Sequence, residues 1–190
     1  RTLGIGQRCR VHGRQGPILA EVVGLDERGS HVLPFGGWRG VAAGDAVEAL
    51  DGDDLVRPTD AWLGRVVDGL ARPLDGGGRL PQGAAAVSVH ADPPPAFDRR
   101  RVGTRIETGV RAVDVFTPVC RGQRMGVFAG SGVGKSTLMA MLARRAEADV
   151  IVIGLVGERG REVQDFIQID LGPDGLARSV LVVSTSDEPP

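Results

Sequence analysis

No sign of charge dominates these 190 residues: 23 Lys+Arg face 24 Asp+Glu, a formal net charge of -1. That excludes a polycationic nucleic-acid coat and an acidic tail. Aromatic residues are scarce, at 4%, which leaves few platforms on which bases could stack. No stretch approaches the ~18 unbroken apolar residues of a membrane span, and no signal peptide opens the sequence. The expectation is a cytosolic protein. Two cysteines, Cys9 and Cys120, are too few for a disulfide framework and read as small hydrophobes or surface thiols. Lysine is the sharpest scarcity. Of 23 basic residues, 22 are Arg and one is Lys, at position 135. A chain that otherwise uses Arg suggests that Lys135 fills a place Arg cannot. A compact ammonium enters a tight phosphate pocket where a planar guanidinium does not fit.

What is present suffices for a packed core, since 42% of residues are hydrophobic. Three regions follow from composition. Residues 1–68 alternate short β-type runs (18–23, 31–35 and 45–50) with glycine turns, the pattern of a small β-barrel or sandwich. Eight Arg against ten acids there give a net charge of -2, so Trp38 and Trp62 read as packing residues rather than base stackers. Residues 69–101 contain Arg72-Pro73-Leu74-Asp75-Gly76-Gly77-Gly78 and Pro93-Pro94-Pro95, which sustain neither helix nor central strand. This region reads as a surface connector, and Arg99-Arg100-Arg101 within it as a solvated charge run. From residue 102 the period changes. A strand at 125–129, a helix at 137–148, an apolar strand at 150–156, a helix around Val163, Phe166 and Ile167, a turn at 172–175 and a strand at 180–183 predict a doubly wound α/β unit.

The loop Ala129-Gly130-Ser131-Gly132-Val133-Gly134-Lys135-Ser136, followed by Thr137, lies between the first strand and helix of that unit. Glycines let successive N–H groups point inward at an anion, and the helix beginning near Gly134 adds its positive dipole end. Lys135 is expected to reach β- and γ-phosphate oxygens, and the Ser136 hydroxyl to hold Mg²⁺. The usual first glycine is Ala129, which is less free at positive φ. A dinucleotide fingerprint would need glycine where this chain has Lys135, which argues against a nicotinamide or flavin site. The next strand runs into Gly157-Glu158-Arg159-Gly160-Arg161-Glu162. Ligands of such sheets sit beyond the carboxyl ends of the strands, so Glu158 is expected to face the γ-phosphate and polarise a water. Arg159 could balance phosphate charge, and Glu162 could bind a water of the Mg²⁺ shell.

The runs from Arg121 to Ser136, from Ile153 to Val163 and from Asp170 to Ser179 closely resemble those of the flagellar protein-export ATPases. These and their type III secretion relatives are similar to the catalytic subunits of rotary ATP synthases. The resemblance extends to Gly64-Arg65-Val66-Val67-Asp68-Gly69 and Arg72-Pro73-Leu74-Asp75-Gly76. It implies an N-terminal β-barrel (1–68) that helps hold a homo-hexameric ring, a connector (69–101) and a RecA-like P-loop domain (102–190). It also implies ATP and Mg²⁺ as ligands, with the cradle from Ala129 to Thr137 on phosphate, Ser136 on the metal and Glu158 as the catalytic carboxylate. Stator or regulatory proteins, export-apparatus proteins, export substrates and chaperones are the implied partners, at the cytoplasmic face of the inner membrane. Gly160 favours the export branch, since rotary β-subunits typically carry Thr there.

The chain stops directly after a strand, before any Mg²⁺-binding aspartate, arginine finger or adenine-clamping aromatic of that family. The expectation is a truncated polypeptide whose α/β domain is incomplete at its C-terminus. Alternatives are a rotary synthase subunit, an RNA-translocating hexamer, or a ring module that binds nucleotide without hydrolysing it. The last would not need a carboxylate at Glu158.

Overall fold

The computed structural model describes residues 3–50, 55–130 and 132–186. The chain forms two compact units, one made chiefly of Arg1–Arg57 with Ala85–Ala91, the other of Pro58–Ala84 with Asp92–Thr185.

In the first unit β1 (Arg8–Gly13), β2 (Gly16–Asp26), β3 (Gly29–Pro34) and β4 (Val47–Ala49) make an antiparallel sheet in the order β3-β2-β1-β4. Alternation decides which side chains turn inward. Cys9 on β1 pairs with Ala20 on β2, and both are fully buried with Val11. Burial pushes the Cys9 thiol pKa up. The β2–β3 turn is fixed locally, because Asp26 Oδ1 accepts the N–H groups of Arg28 (2.7 Å) and Gly29 (3.0 Å).

Three short strands follow: β5 (Leu55–Val56), β6 (Val66–Asp68) and β7 (Val87–Ser88). β5 and β7 pair antiparallel in the first unit, whereas β6 lies in a sheet of the second. The second unit continues with β8 (Arg105–Ile106), α1 (Arg111–Phe116), β9 (Val119–Cys120) and α2 (Lys135–Arg145). Then come β10 (Ile151–Glu158), α3 (Gly160–Asp165), α4 (Gly172–Ala177) and β11 (Ser179–Thr185). Its main sheet is parallel, in the order β10-β11-β6. Two small residues on α2, Ala140 and Ala143, bring that helix into the core beside Leu171, Leu181 and Val183. Leu171 and Leu181 are completely buried, each contributing about 1.5–3 kcal/mol of apolar burial.

Several elements depart from the sequence reading. The strand expected at 125–129 is absent: the segment leads into the glycine loop but joins no ladder among the described residues. Apolar composition favours extended backbone, but a strand exists only where a partner takes its hydrogen bonds. The turn expected at Gly172-Pro173-Asp174-Gly175 is instead the start of α4, since proline is tolerated in a first helical turn. The helix around Phe166 continues α3 as a π-helical turn, Phe166–Leu171. The helix expected at 137–148 runs from Lys135 to Arg145.

Val66–Asp68, assigned by composition to the first region, pairs with Leu181–Val183 of β11. Part of the expected connector also folds back onto β6. Asp75 takes a two-pronged ion pair from Arg65 (2.6 and 2.9 Å) and the Val66 N–H (3.0 Å). Asp68 accepts the N–H groups of Leu70 and Arg72. Leu80 is buried against Trp62 and Val67, and the Trp62 indole N–H donates to the Pro81 carbonyl (2.7 Å).

Candidate phosphate-binding site

The site begins with backbone geometry. Gly132 (φ 74°) and Gly134 (φ 93°) stand in the left-handed region, where a side chain would be strained. Ala129 does not: Ala71 is the only non-glycine residue with positive φ among the described residues. Alanine in place of the first glycine therefore costs the loop nothing. Gly134 caps α2, whose first hydrogen bond runs from the Leu138 N–H to the Gly134 carbonyl (2.9 Å). The N–H groups preceding Leu138 have no partner within the helix and lie at its positive end.

The opposing wall comes from β10. Its register with β11 shifts between Val156 and Glu158, and the intervening Gly157 has φ 74°. A bulge of this kind re-aims the side chain that follows. Here it accompanies an approach of Glu158 Oε1 to within 3.8 Å of Lys135 Nζ. Both groups keep solvent access, at 34% and 49% exposed.

A cleft of about 430 Å³ joins these parts, lined by Ala129, Gly130, Gly132, Gly134, Lys135, Ser136, Thr137, Glu158 and Glu162. Two of the residues singled out in the sequence do not line it. Arg159 is 82% exposed and turns to Glu162 (3.6 Å). Val133 projects into solvent. Ser131 lies outside the described residues. A neighbouring cavity of about 340 Å³ shares Lys135, Ser136, Glu158 and Glu162 and adds an apolar wall that includes Met125, Met139 and Phe166. Neither that wall nor the bulge at Gly157 was foreseen. Glycine between an apolar run and Glu158 is the signal that could have marked the bulge.

Chemically, the cleft offers backbone donors, one ammonium, two small hydroxyl side chains and two carboxylates. Anion binding at the loop with water activation opposite is within its means. Among the described residues no group of three or more His, Cys, Asp or Glu could hold a metal ion unaided.

The chain is similar to known proteins along nearly its whole length. Residues 109–190 match the nucleotide-binding domain of the ATP synthase alpha/beta family. The chain is 50% identical over 188 residues to a flagellum-specific ATP synthase of Caulobacter vibrioides, covering 98% of this chain and 42% of that protein. It is 46% identical over 191 residues to a type 3 secretion system ATPase of Xanthomonas euvesicatoria, covering 97% and 42%. The assembled ATPase EscN of the enteropathogenic E. coli type III secretion system, in complex with its central stalk EscO, superposes with a TM-score of 0.85 at 39% identity. That superposition covers 99% of this chain and 46% of EscN. The chain thus spans less than half the length of the proteins it matches.

Proposed function

As a member of the family of flagellum-specific ATP synthases and type 3 secretion ATPases, the chain is, we propose, the nucleotide-binding part of an ATPase that energises protein export. The observation that carries this reading is the convergence of Lys135 and Glu158, 3.8 Å apart, across a cleft floored by the glycine loop. Lys135 and the loop N–H groups bind the β- and γ-phosphates, and Thr137 adds a hydroxyl beside them. Glu158 orients and polarises the attacking water. Without nucleotide the two charges neutralise each other. An incoming γ-phosphate competes for Lys135 and frees the carboxylate for the water. Arg159, outside the cleft lining, pairs with Glu162 and takes no part in binding phosphate.

Ser136 and Glu162 would hold the Mg²⁺ that accompanies ATP. They lie on the same cleft as the loop, and an oxygen donor set completed by phosphates suits this ion. Bound there, Mg²⁺ neutralises charge on the β- and γ-oxygens.

The α/β unit is read as RecA-like and the antiparallel sheet of the first unit as the wall of a small barrel that assembles a homo-hexamer. We place the division between them near residue 57, so that Val66–Asp68 and much of the expected connector belong to the ATPase unit. EscN supports the assembly reading, since it is described both as assembled and in complex with a stalk protein. Stalk or regulatory proteins, export-apparatus proteins, and export substrates with their chaperones are the proposed partners. The place of action is the cytoplasmic face of the membrane, and no helix among the described residues is long and apolar enough to cross it. Nucleic acid is not a proposed partner, because a net charge of -2 over residues 1–68 supplies no counterion-release drive.

Titration of the chain with a fluorescent ATP analogue and Mg²⁺ tests the reading. Saturable binding, displaced by unlabelled ATP, is expected; absence of binding would remove its basis.

A further inference from the structure

The far end of α2 is held as closely as its phosphate-binding end is open. Arg178, half-buried just before β11, donates from its guanidinium to two carbonyls at the end of that helix and to a third in the segment that follows. One nitrogen reaches Arg144 (3.3 Å); the other reaches Ala146 (3.1 Å) and Ala148. The Arg144 and Ala146 carbonyls are groups that a helix terminus leaves without intrahelical donors, and a cation there also meets the negative end of the helix dipole.

Neighbouring segments close around the same end. The Glu147 N–H donates to the Glu107 carbonyl (2.8 Å). Gly109 stands so close that a Cβ on it would lie 2.4 Å from Arg145 Cβ and 3.2 Å from the Arg145 carbonyl oxygen. On another side, a Cβ on Gly175 would lie 2.8 Å from Arg144 Cγ. The helix end therefore sits in a socket, and a planar fork of donors suits its diverging carbonyls better than a single ammonium.

From this we infer that Arg178 is a positioning residue for the phosphate site. It ties the C-terminal end of α2 to the start of β11 and so fixes where Lys135 and Ser136 stand at the other end. Those residues begin the helix, about 15 Å away at 1.5 Å per residue. A rigid helix carries an axial or tilting shift over that length, and about 1 Å of misplacement is enough to matter at a reacting centre. The inference rests on the phosphate site proposed above.

Its test compares wild type, Arg178→Gln and Arg178→Lys by nucleotide titration, with circular dichroism establishing folding at the assay temperature. Arg178→Gln is expected to weaken binding roughly tenfold while folded, and Arg178→Lys to recover part of the loss by restoring the charge. A folded Arg178→Gln chain that binds within twofold of wild type overturns the inference. Should that variant not fold, Arg178→Lys is judged alone: binding weakened about threefold or more supports the inference, and smaller losses overturn it. Failure of wild type itself to bind would instead refute the proposed function.

Discussion

The two units use charged side chains in opposite ways. In the antiparallel sheet of the first, titratable groups pair across exposed faces: Glu48 with Arg10 (2.9 Å) and His12 (3.3 Å), Asp26 with His31 (2.8 Å). These pairs lower the carboxyl pKa values of Glu48 and Asp26, chiefly through hydrogen bonds from His12 and His31. In the main sheet of the second unit the strands run parallel. The carboxyl end of β10 delivers Glu158 to the amino end of α2, where Lys135 waits. Strand direction decides this difference. Parallel strands end together on one side and leave a crevice there, whereas antiparallel neighbours send alternate ends to opposite sides.

The comparison would break most visibly at Lys135. Lys135→Ala is expected to weaken ATP binding by roughly 100-fold, since charge-assisted hydrogen bonds are worth about 1.5–3 kcal/mol each. It should stop hydrolysis in the complete subunit while circular dichroism stays unchanged. Retained phosphate release would show that the loop is only a turn.

Core changes come next. Leu181→Ala, in the centre of the parallel sheet, should destabilise the second unit by about 2–5 kcal/mol in urea denaturation. A loss below about 1 kcal/mol would mean that β11 is not the packing centre assigned to it.

A smaller effect belongs to Asp75. The Arg65 guanidinium first, then the Val66 and Gly77 N–H groups, hold its carboxyl well below the usual carboxylate range. A group depressed in this way stabilises the fold fully above its unfolded pKa, ~4, and loses that contribution progressively as pH falls from there toward its depressed folded value. Asp75→Asn should therefore cost about 1–3 kcal/mol at neutral pH and flatten the stability profile below about pH 5, where the native carboxylate otherwise begins to lose its contribution. An unchanged acid profile would contradict the pairing.

The smallest effect is expected in the first unit. Glu48→Gln removes an exposed pair of the kind that contributes little, and the denaturation midpoint should not move measurably. A clear drop would show that charge pairing holds the first sheet as well.

What could be read from sequence was local. The glycine loop, Lys135, Ser136 and the run through Glu158 are contiguous stretches whose chemistry follows from residue type, and they meet at one cleft. The strand at 180–183 lies within β11, and the apolar run 150–156 lies within β10 except for Val150. What depended on distant partners was not legible. Met125–Ala129 looks like a strand by composition, yet pairing is decided by segments far away in sequence. Val66–Asp68 looked continuous with the first region until β11 supplied its ladder. The sequence directs Arg159 toward the phosphates and Glu162 toward the Mg²⁺ shell, whereas Arg159 turns to Glu162. Arg178 gave no signal at all, because its carbonyl partners lie about 30 residues away.

The central claim is that Glu158 acts on the reaction rather than on the fold, and one substitution addresses it directly. Glu158→Gln keeps the shape of the side chain but cannot polarise water as a carboxylate does. ATP binding and phosphate release should be measured together on wild type and variant of the complete subunit. Binding is predicted to persist while release falls by ~100-fold or more. Release at the wild-type rate, with ATP still bound, would contradict the account.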